Sequence, residues 1–379
     1  MRVKTILVAA SLAGLAMLLV AGPAAADVIK VSPGESIQAA IDQAAPGDTV
    51  KLAPGTYQEN VQIKTQWITL KGAGDNETVI EPGATPAPVG PICEGTGICV
   101  SEATDPAAPP TLEDVRIKDL AVRGFAFSGV FFFGTIDHRI SDVLAEDSGY
   151  GIAGFNTTGG QYWDNETPHN DEAGIYVGDS ENADAVVRDN VSNGNVGFGI
   201  FVRDASNGVV EDNETVDNCI GILFLDTPSP TPAGNWVARD NEANQNKAVC
   251  PLEEGPPAGG IGIAIASAHG ITLVGNTTND NVPAGAVDIS GGIAVVGDPV
   301  QIATDNTIKF NTAFGNSPVD LFWDQQGDNT FIGNRCNTSD PDGLCVKGHG
   351  HGDGHHGDNG HHGDKHGKHN HKHHKHHDD

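Results

Sequence analysis

A phrase that returns about every coil's length, period-2 alternation after a recurring glycine, and a composition of 49 glycines in 379 residues with 6% aromatics predict the fold. The class is all-β: a right-handed single-stranded parallel β-helix with three short strands per coil, a short N-terminal capping helix and a disordered His-rich tail. The phrase reads Asn, four residues, Asn, then Gly and an aliphatic. It occurs at Asn165, Asn170, Gly174-Ile175; at Asn190, Asn195, Gly199-Ile200; and at Asn213, Asn218, Gly221-Ile222. Asn241 with Asn246, Asn276 with Asn281 and Asn311 with Asn316 continue it, and Asn334 extends the first column. A degenerate form runs Asp119, then Asp142, Asp147 and Gly151-Ile152. Successive members of the column lie 23, 23, 25, 23, 28, 35, 35 and 23 residues apart. Roughly 23 residues is one coil, and the longer steps carry Pro-rich inserts that loop closure tolerates cheaply.

Taken from the N-terminus, residues 1–26 read as a secretory signal peptide. Arg2 and Lys4 precede an apolar run from Ile6 to Ala21, and Ala24-Ala25-Ala26 offers a small-residue cleavage site. Residues 27–346 are assigned to the β-helix and 347–379 to the tail. Ser36 is placed as an N-cap, with Ile37, Ala40, Ile41 and Ala44 on one helical face and Pro46-Gly47 as the stop. Strands are expected at 49–52 and 67–71.

Within each coil, Gly174-Ile175-Tyr176-Val177 points Ile and Val inward and Tyr outward, and 199–202 and 221–224 repeat this. The leading glycine is expected to permit a bend. The column Asn165, Asn190, Asn213, Asn241, Asn276, Asn311 and Asn334 is expected to adopt left-handed dihedrals and to hydrogen-bond coil to coil as a buried ladder. Four of these stand in N-x-[ST] contexts, and a ladder position makes them poor glycan acceptors. Six cysteines in an exported chain point to disulfides. Fifteen pairings are open; short loops favour Cys93–Cys99 and Cys336–Cys345, leaving Cys219–Cys250.

Charge narrows the partners. The chain carries −29 overall, and residues 27–346 carry 14 basic and 45 acidic groups. That excludes a nucleic-acid binder, which needs Lys and Arg in excess, and no second apolar run follows the leader to make an integral membrane protein. Such a body repels polyanions in general.

Residues 36–81, with Ser36-Ile37-Gln38-Ala39-Ala40-Ile41, Pro46-Gly47-Asp48-Thr49-Val50 and Pro54-Gly55-Thr56-Tyr57-Gln58-Glu59, resemble the opening of the pectin-lyase-like superfamily. The later coils are similar to the parallel β-helix repeats of copper-processing periplasmic proteins and alginate epimerases. The resemblance implies the fold over nearly all of 27–346, but no single activity. Gly55, Tyr57 and Glu59 echo pectin methylesterases, without the aspartates and arginine those enzymes need. Arg116-Ile117-Lys118 and Gly348-His349-Gly350 occur in the reverse of the polygalacturonase order. Ile136-Asp137-His138 echoes a pectate lyase strand but fits the coil repeat, and Pro168-His169-Asn170-Asp171 lacks the first Asp of the epimerase motif.

One column carries chemistry independently of any family. Five residues after the strand glycine stand Asp179, Asp204 and Asp226, with Asp298 and Asp324 near equivalent places. Arg203 adjoins Asp204, and Tyr176 and Phe201 face outward beside them. Carboxylates stacked a rung apart invite Ca²⁺ or raised pKa values, and outward aromatics offer faces to sugar rings. The expectation is a uronate lyase or glycoside hydrolase with catalytic Asp179, Arg203, Asp204 and Asp226 and substrate-binding Tyr176 and Phe201. A non-catalytic extracellular scaffold or metal-handling protein is the alternative. The tail is expected to chelate Zn²⁺, Ni²⁺ or Cu²⁺ through His349, His351, His355, His356, His361, His362, His366, His369, His371, His373, His374, His376 and His377.

Overall fold

The computed structural model describes residues 26–84, 89–251, 257–298 and 300–346. The expected leader, apart from Ala26, and the whole His-rich tail lie outside the described residues.

The described chain winds as a parallel β-helix with three faces per coil. Face 1 starts at Val28–Val31 and Thr49–Leu52 and is built rung by rung to Thr330–Ile332. Face 2 starts at Gly55–Gln58 and ends at Arg335–Cys336. Face 3 starts at Val61–Ile63, includes Ser128–Phe133, Tyr150–Phe155 and Ala173–Ser180, and ends at Ser339–Asp340. Every named strand pair is parallel, so each side chain lies over its equivalent from the neighbouring coil.

That stacking makes the core. Ile175, Ile200, Ile222, Ile263 and Ile293 form one inward column on face 3 and are fully buried. Each contributes about 2–3 kcal/mol by leaving water. Residues 37–43 form a helix whose Ile37, Ala40 and Ile41 are buried. Ser36 Oγ accepts from Ala39 N (3.1 Å), while Glu59 accepts from Ser36 Oγ and from the amides of Ile37 and Gln38. Tyr57 is buried, its hydroxyl 2.9 Å from both Val31 O and Ala53 O and sharing its one hydrogen between them. The Gly55-Thr56-Tyr57-Gln58-Glu59 stretch therefore serves the structure at this end.

Two asparagine ladders line the turns. Asn165 Nδ2 donates to Asn190 Oδ1, and the same step repeats through Asn213, Asn241, Asn276 and Asn311 to Asn334. Asn170, Asn195, Asn218, Asn246, Asn281 and Asn316 make a second ladder at the turn from face 2 to face 3. The first-ladder residues are at most 2% exposed, which closes them to glycosylation in the folded chain.

Two local expectations are corrected. The left-handed residue is not the ladder asparagine but the one before it: Asp189 (φ 56°), Asp212 (φ 54°) and Asp240 (φ 55°). Asp119 and Asp142 belong to that left-handed column, since Asn165 Oδ1 accepts from Val143 N and thereby marks Val143 as the ladder slot. The leading glycines serve close approach rather than a bend. A Cβ on Gly199 would lie 2.5 Å from Gly221 O and 3.0 Å from Asn218 Nδ2, so no larger residue fits.

Candidate functional site

The outer side of face 3 is flanked by the longest turns. The 102–111 turn folds over it, tethered where Asn156 Nδ2 donates to Ala108 O (2.8 Å). Between that turn and the face lies a groove of about 510 Å³, lined by Pro106 to Pro109, Phe133, Phe155, Asn156 and Asp179. Its floor is aromatic. Phe155 stacks on Tyr176 (4.4 Å between centroids, 22°), Tyr150 and Phe201 meet Tyr176 edge-on, and Phe127 packs against Phe131.

The aspartate column exists as a column. Gly178 pairs with Arg203 and Ser180 with Ala205, which sets Asp179 beside Asp204; Arg203 pairs with Leu225, which sets Asp204 beside Asp226. Asp179 and Asp204 sit at φ 50° and 49°, a conformation that short polar side chains tolerate. Beyond that the three differ. Asp179 lines the groove. Desolvation raises its pKa, Arg203 opposes the rise, and the Asp204 charge adds to it. Asp204 is buried and committed: it accepts from Thr227 N and Thr227 Oγ1 (2.7 Å each) and lies 3.3 Å from Arg203 Nε. Asp226 is 4% exposed, its Oδ1 has no hydrogen-bond partner, and burial pushes its pKa up. Asp298 falls outside the column, capping its own turn through Val300 N and Gln301 N. Asp324 accepts from Gly297 N.

The two aromatic residues point out of the core as expected but are covered, Tyr176 being 1% and Phe201 4% exposed. Beside the groove, Phe127, Tyr150 and Phe155 are half-buried.

Two members of the cluster had no signal in the repeat. Tyr150 opens its rung, and its hydroxyl is pushed up to about 12 by burial, reinforced by Glu172 and countered by Arg203. Glu172 is half-buried with a raised pKa, again from desolvation and against the pull of Arg203. A single guanidinium thus acts on Tyr150, Glu172, Tyr176 and Asp179 at once. Such a set can hold an anionic group at Arg203 and move a proton beside it. Among the described residues no group of three or more His, Cys, Asp or Glu is arranged to hold a metal ion.

The motif echoes resolve into structure. His138 is inside the coil, with Nδ1 2.8 Å from Thr135 Oγ1, Nε2 3.0 Å from Tyr162 Oη and its ring stacked on Phe132. Burial lowers its pKa to about 3. Asn170 of the Pro168–Asp171 stretch is a ladder residue. Arg116 and Lys118 flank the buried Ile117 and project from face 1. The disulfides are Cys93–Cys99, Cys219–Cys250 and Cys336–Cys345. The first two brace the outer side of face 3 and the third lies at the C-terminal end.

The architecture is that of a pectin-lyase-like parallel β-helix. The family model described as a right-handed β-helix region matches residues 92–237 and 128–306, more than half of the chain, and the protein belongs to that family. Among solved structures, the A-module of mannuronan C-5 epimerase AlgE4 from Azotobacter vinelandii is similar at 19% identity and TM-score 0.53, over 82% of this chain and 96% of that one. The AlgE6 A-module of the same organism gives 20% and 0.52, over 79% and 88%. The family 28 exopolygalacturonase of Yersinia enterocolitica gives 15% and 0.51, over 83% and 76%. At these identities the likeness is one of fold. A search of curated protein sequences finds no match. No helix among the described residues is long and apolar enough to cross a membrane.

Proposed function

We propose that the protein is exported and acts on an acidic polysaccharide laid along the outer side of face 3. What supports this reading is the geometry beside a groove lined by Phe133, Phe155 and Asp179: Arg203 lies on the rung next to Gly178, adjoining Asp179, and Tyr150 pairs with Ala173, adjoining Glu172, at the other end of the same face. The similar epimerases and the exopolygalacturonase are, by their names, proteins of polysaccharide chemistry, which supports the substrate class.

In this reading Arg203 neutralises a uronate carboxylate, which acidifies the carbon-bound proton beside it. Asp179 or Glu172, with raised pKa values, takes that proton. Tyr150, held protonated at neutral pH, donates to the departing or re-protonated position. Asp204 positions Arg203, and Asp226 supports the turn beyond it. The same groups would hold the chain if no bond is broken. The commitment of Asp204 to Thr227 favours that second reading, a non-catalytic binding protein.

The test is incubation of the full chain with polygalacturonate, polymannuronate and a neutral glucan. Unsaturated products, reducing ends and epimer content are followed. Turnover of a uronate polymer, reduced on the order of 100-fold in Arg203→Gln and Asp179→Asn, is expected. Binding without turnover that weakens in Arg203→Gln and Asp179→Asn supports the second reading. Full activity in both variants, or no interaction with any polymer, overturns the assignment.

A further inference from the structure

Face 1 gathers cations on an acidic molecule, with aspartates at the turn that follows several of its rungs (Asp119, Asp142, Asp164 and Asp189) and Glu211 at the rung after Arg188. Its outward column, read rung by rung, is Lys30, Lys51, Lys71, Lys118, Ser141, Trp163 and Arg188. Arg116 and Arg139 stand in the parallel column beside it, and most of the lysines and arginines among the described residues project from this face. Neighbouring rungs are about 4.8 Å apart, so the stripe offers about one cation per rung.

At its centre Trp163 lies between two arginines, with the Arg188 guanidinium 4.2 Å and that of Arg139 5.9 Å from the ring centroid. Arg139 Nε, Gln161 Oε1, Trp163 Nε1 and Arg188 Nε all lack hydrogen-bond partners. These four atoms sit on two adjoining columns of half-buried side chains, where a ligand can engage them by a small side-chain rotation. Some of these cations are already neutralised: Lys71 pairs with Asp119 (3.3 Å), Arg116 with Asp114 (2.9 Å) and Arg188 with Asp189 (3.8 Å). Lys30, Lys51, Lys118 and Arg139 have no ion-pair partner among the described residues.

We propose that face 1 is a second binding surface, which holds a linear polyuronate chain running along the coil axis, with one sugar seated at Trp163 between Arg139 and Arg188. The surface lies on a different face from the Arg203 groove and does not depend on any reaction there. Charge spacing selects the class. A polyuronate carries one carboxylate per sugar, which matches one cation per rung. Duplex nucleic acid carries a charge about every 1.7 Å and would meet too few cations on a body of net negative charge. The guanidinium groups held over the indole, 4.2 and 5.9 Å from its centroid, supply forks for the carboxylate of the sugar.

The test uses the full chain and polygalacturonate, with neutral dextran, duplex DNA and anionic vesicles as comparators. Calorimetry and the change in tryptophan fluorescence are read at low and physiological salt. Polygalacturonate binding is expected to weaken at least tenfold in R139Q/R188Q and severalfold in K51Q/K118Q. It should survive in D179N/R203Q, and Trp163→Phe should remove the fluorescence change. K51Q/K118Q alters only outward side chains and guards against a folding defect in the arginine pair. Unchanged affinity in both face 1 variants, loss of all binding in D179N/R203Q, or equally tight binding of dextran, DNA or vesicles overturns the proposal.

Discussion

Asn213 shows how much one side chain does in this architecture. Its Nδ2, with two hydrogens, lies 2.9 Å from each of Val187 O, Glu211 O and Asn241 Oδ1, and its Oδ1 accepts from Asn190 N and Asn190 Nδ2. Replacement by alanine strands several of these groups in a site only 2% exposed. Asn213→Ala should cost about 3 kcal/mol, measured as a lowered urea midpoint. Asn213→Asp should cost at least as much, because a carboxylate cannot donate. His138 gives a pH signature. Its folded pKa of about 3 lies below the ordinary value of 6.5, so between those limits the unfolded chain takes up a proton that the folded chain refuses. Stability should therefore fall as pH drops from 6.5 towards 3, by about 1 kcal/mol per pH unit from this group. His138→Gln should flatten that part of the profile. An unchanged slope in the variant would show that other groups govern it.

At the scale of the strand, register decides what was legible. The asparagine column and the alternation of Ile175 and Val177 were readable because equivalent residues recur at one coil's spacing and obey period 2. Asp142 was placed one residue off, since an aspartate suits both the left-handed corner and the slot after it. Tyr150 and Glu172 were not legible: neither belongs to the recurring phrase, and only the pairing of Tyr150 with Ala173 brings them to one end of the same rungs. The face 1 stripe was hidden for the same reason, because Lys51, Lys118 and Trp163 share no local motif. The outward pointing of Tyr176 and Phe201 was readable; their burial was not, because it comes from rings on neighbouring rungs. For the Arg203 cluster, raised pKa values at Asp179 and Glu172 set the acid side of any activity profile. A base is active when deprotonated, so kcat/KM should rise with pH through a midpoint above the ordinary 3.9–4.3 of carboxyl groups. A midpoint at or below that range would remove both residues from the role of base.

Over the whole molecule, the sequence sets an acidic body beside a His-rich segment. Thirteen of the 31 residues from His349 to Asp379 are histidine, and neutral imidazole is a strong ligand for Zn²⁺ and Cu²⁺. Calorimetry with Zn²⁺ should reveal several sites that vanish when 347–379 are deleted. Equal uptake by the shortened chain would place them elsewhere.

The ladder has a further consequence. Each asparagine oxygen serves the coil before it, so the bonding scheme does not record how many coils there are. Excising 276–310 joins Gly275 to Asn311 and offers Asn241 the same kind of acceptor that Asn276 supplied. Such a chain should melt cooperatively as a shorter rod, whereas an excision one residue longer or shorter moves an asparagine out of the ladder slot and should melt at a lower temperature. Length in this molecule is quantised: evolution can lengthen or trim the rod in whole turns, and each increment moves a surface feature along the axis without redesigning its neighbours.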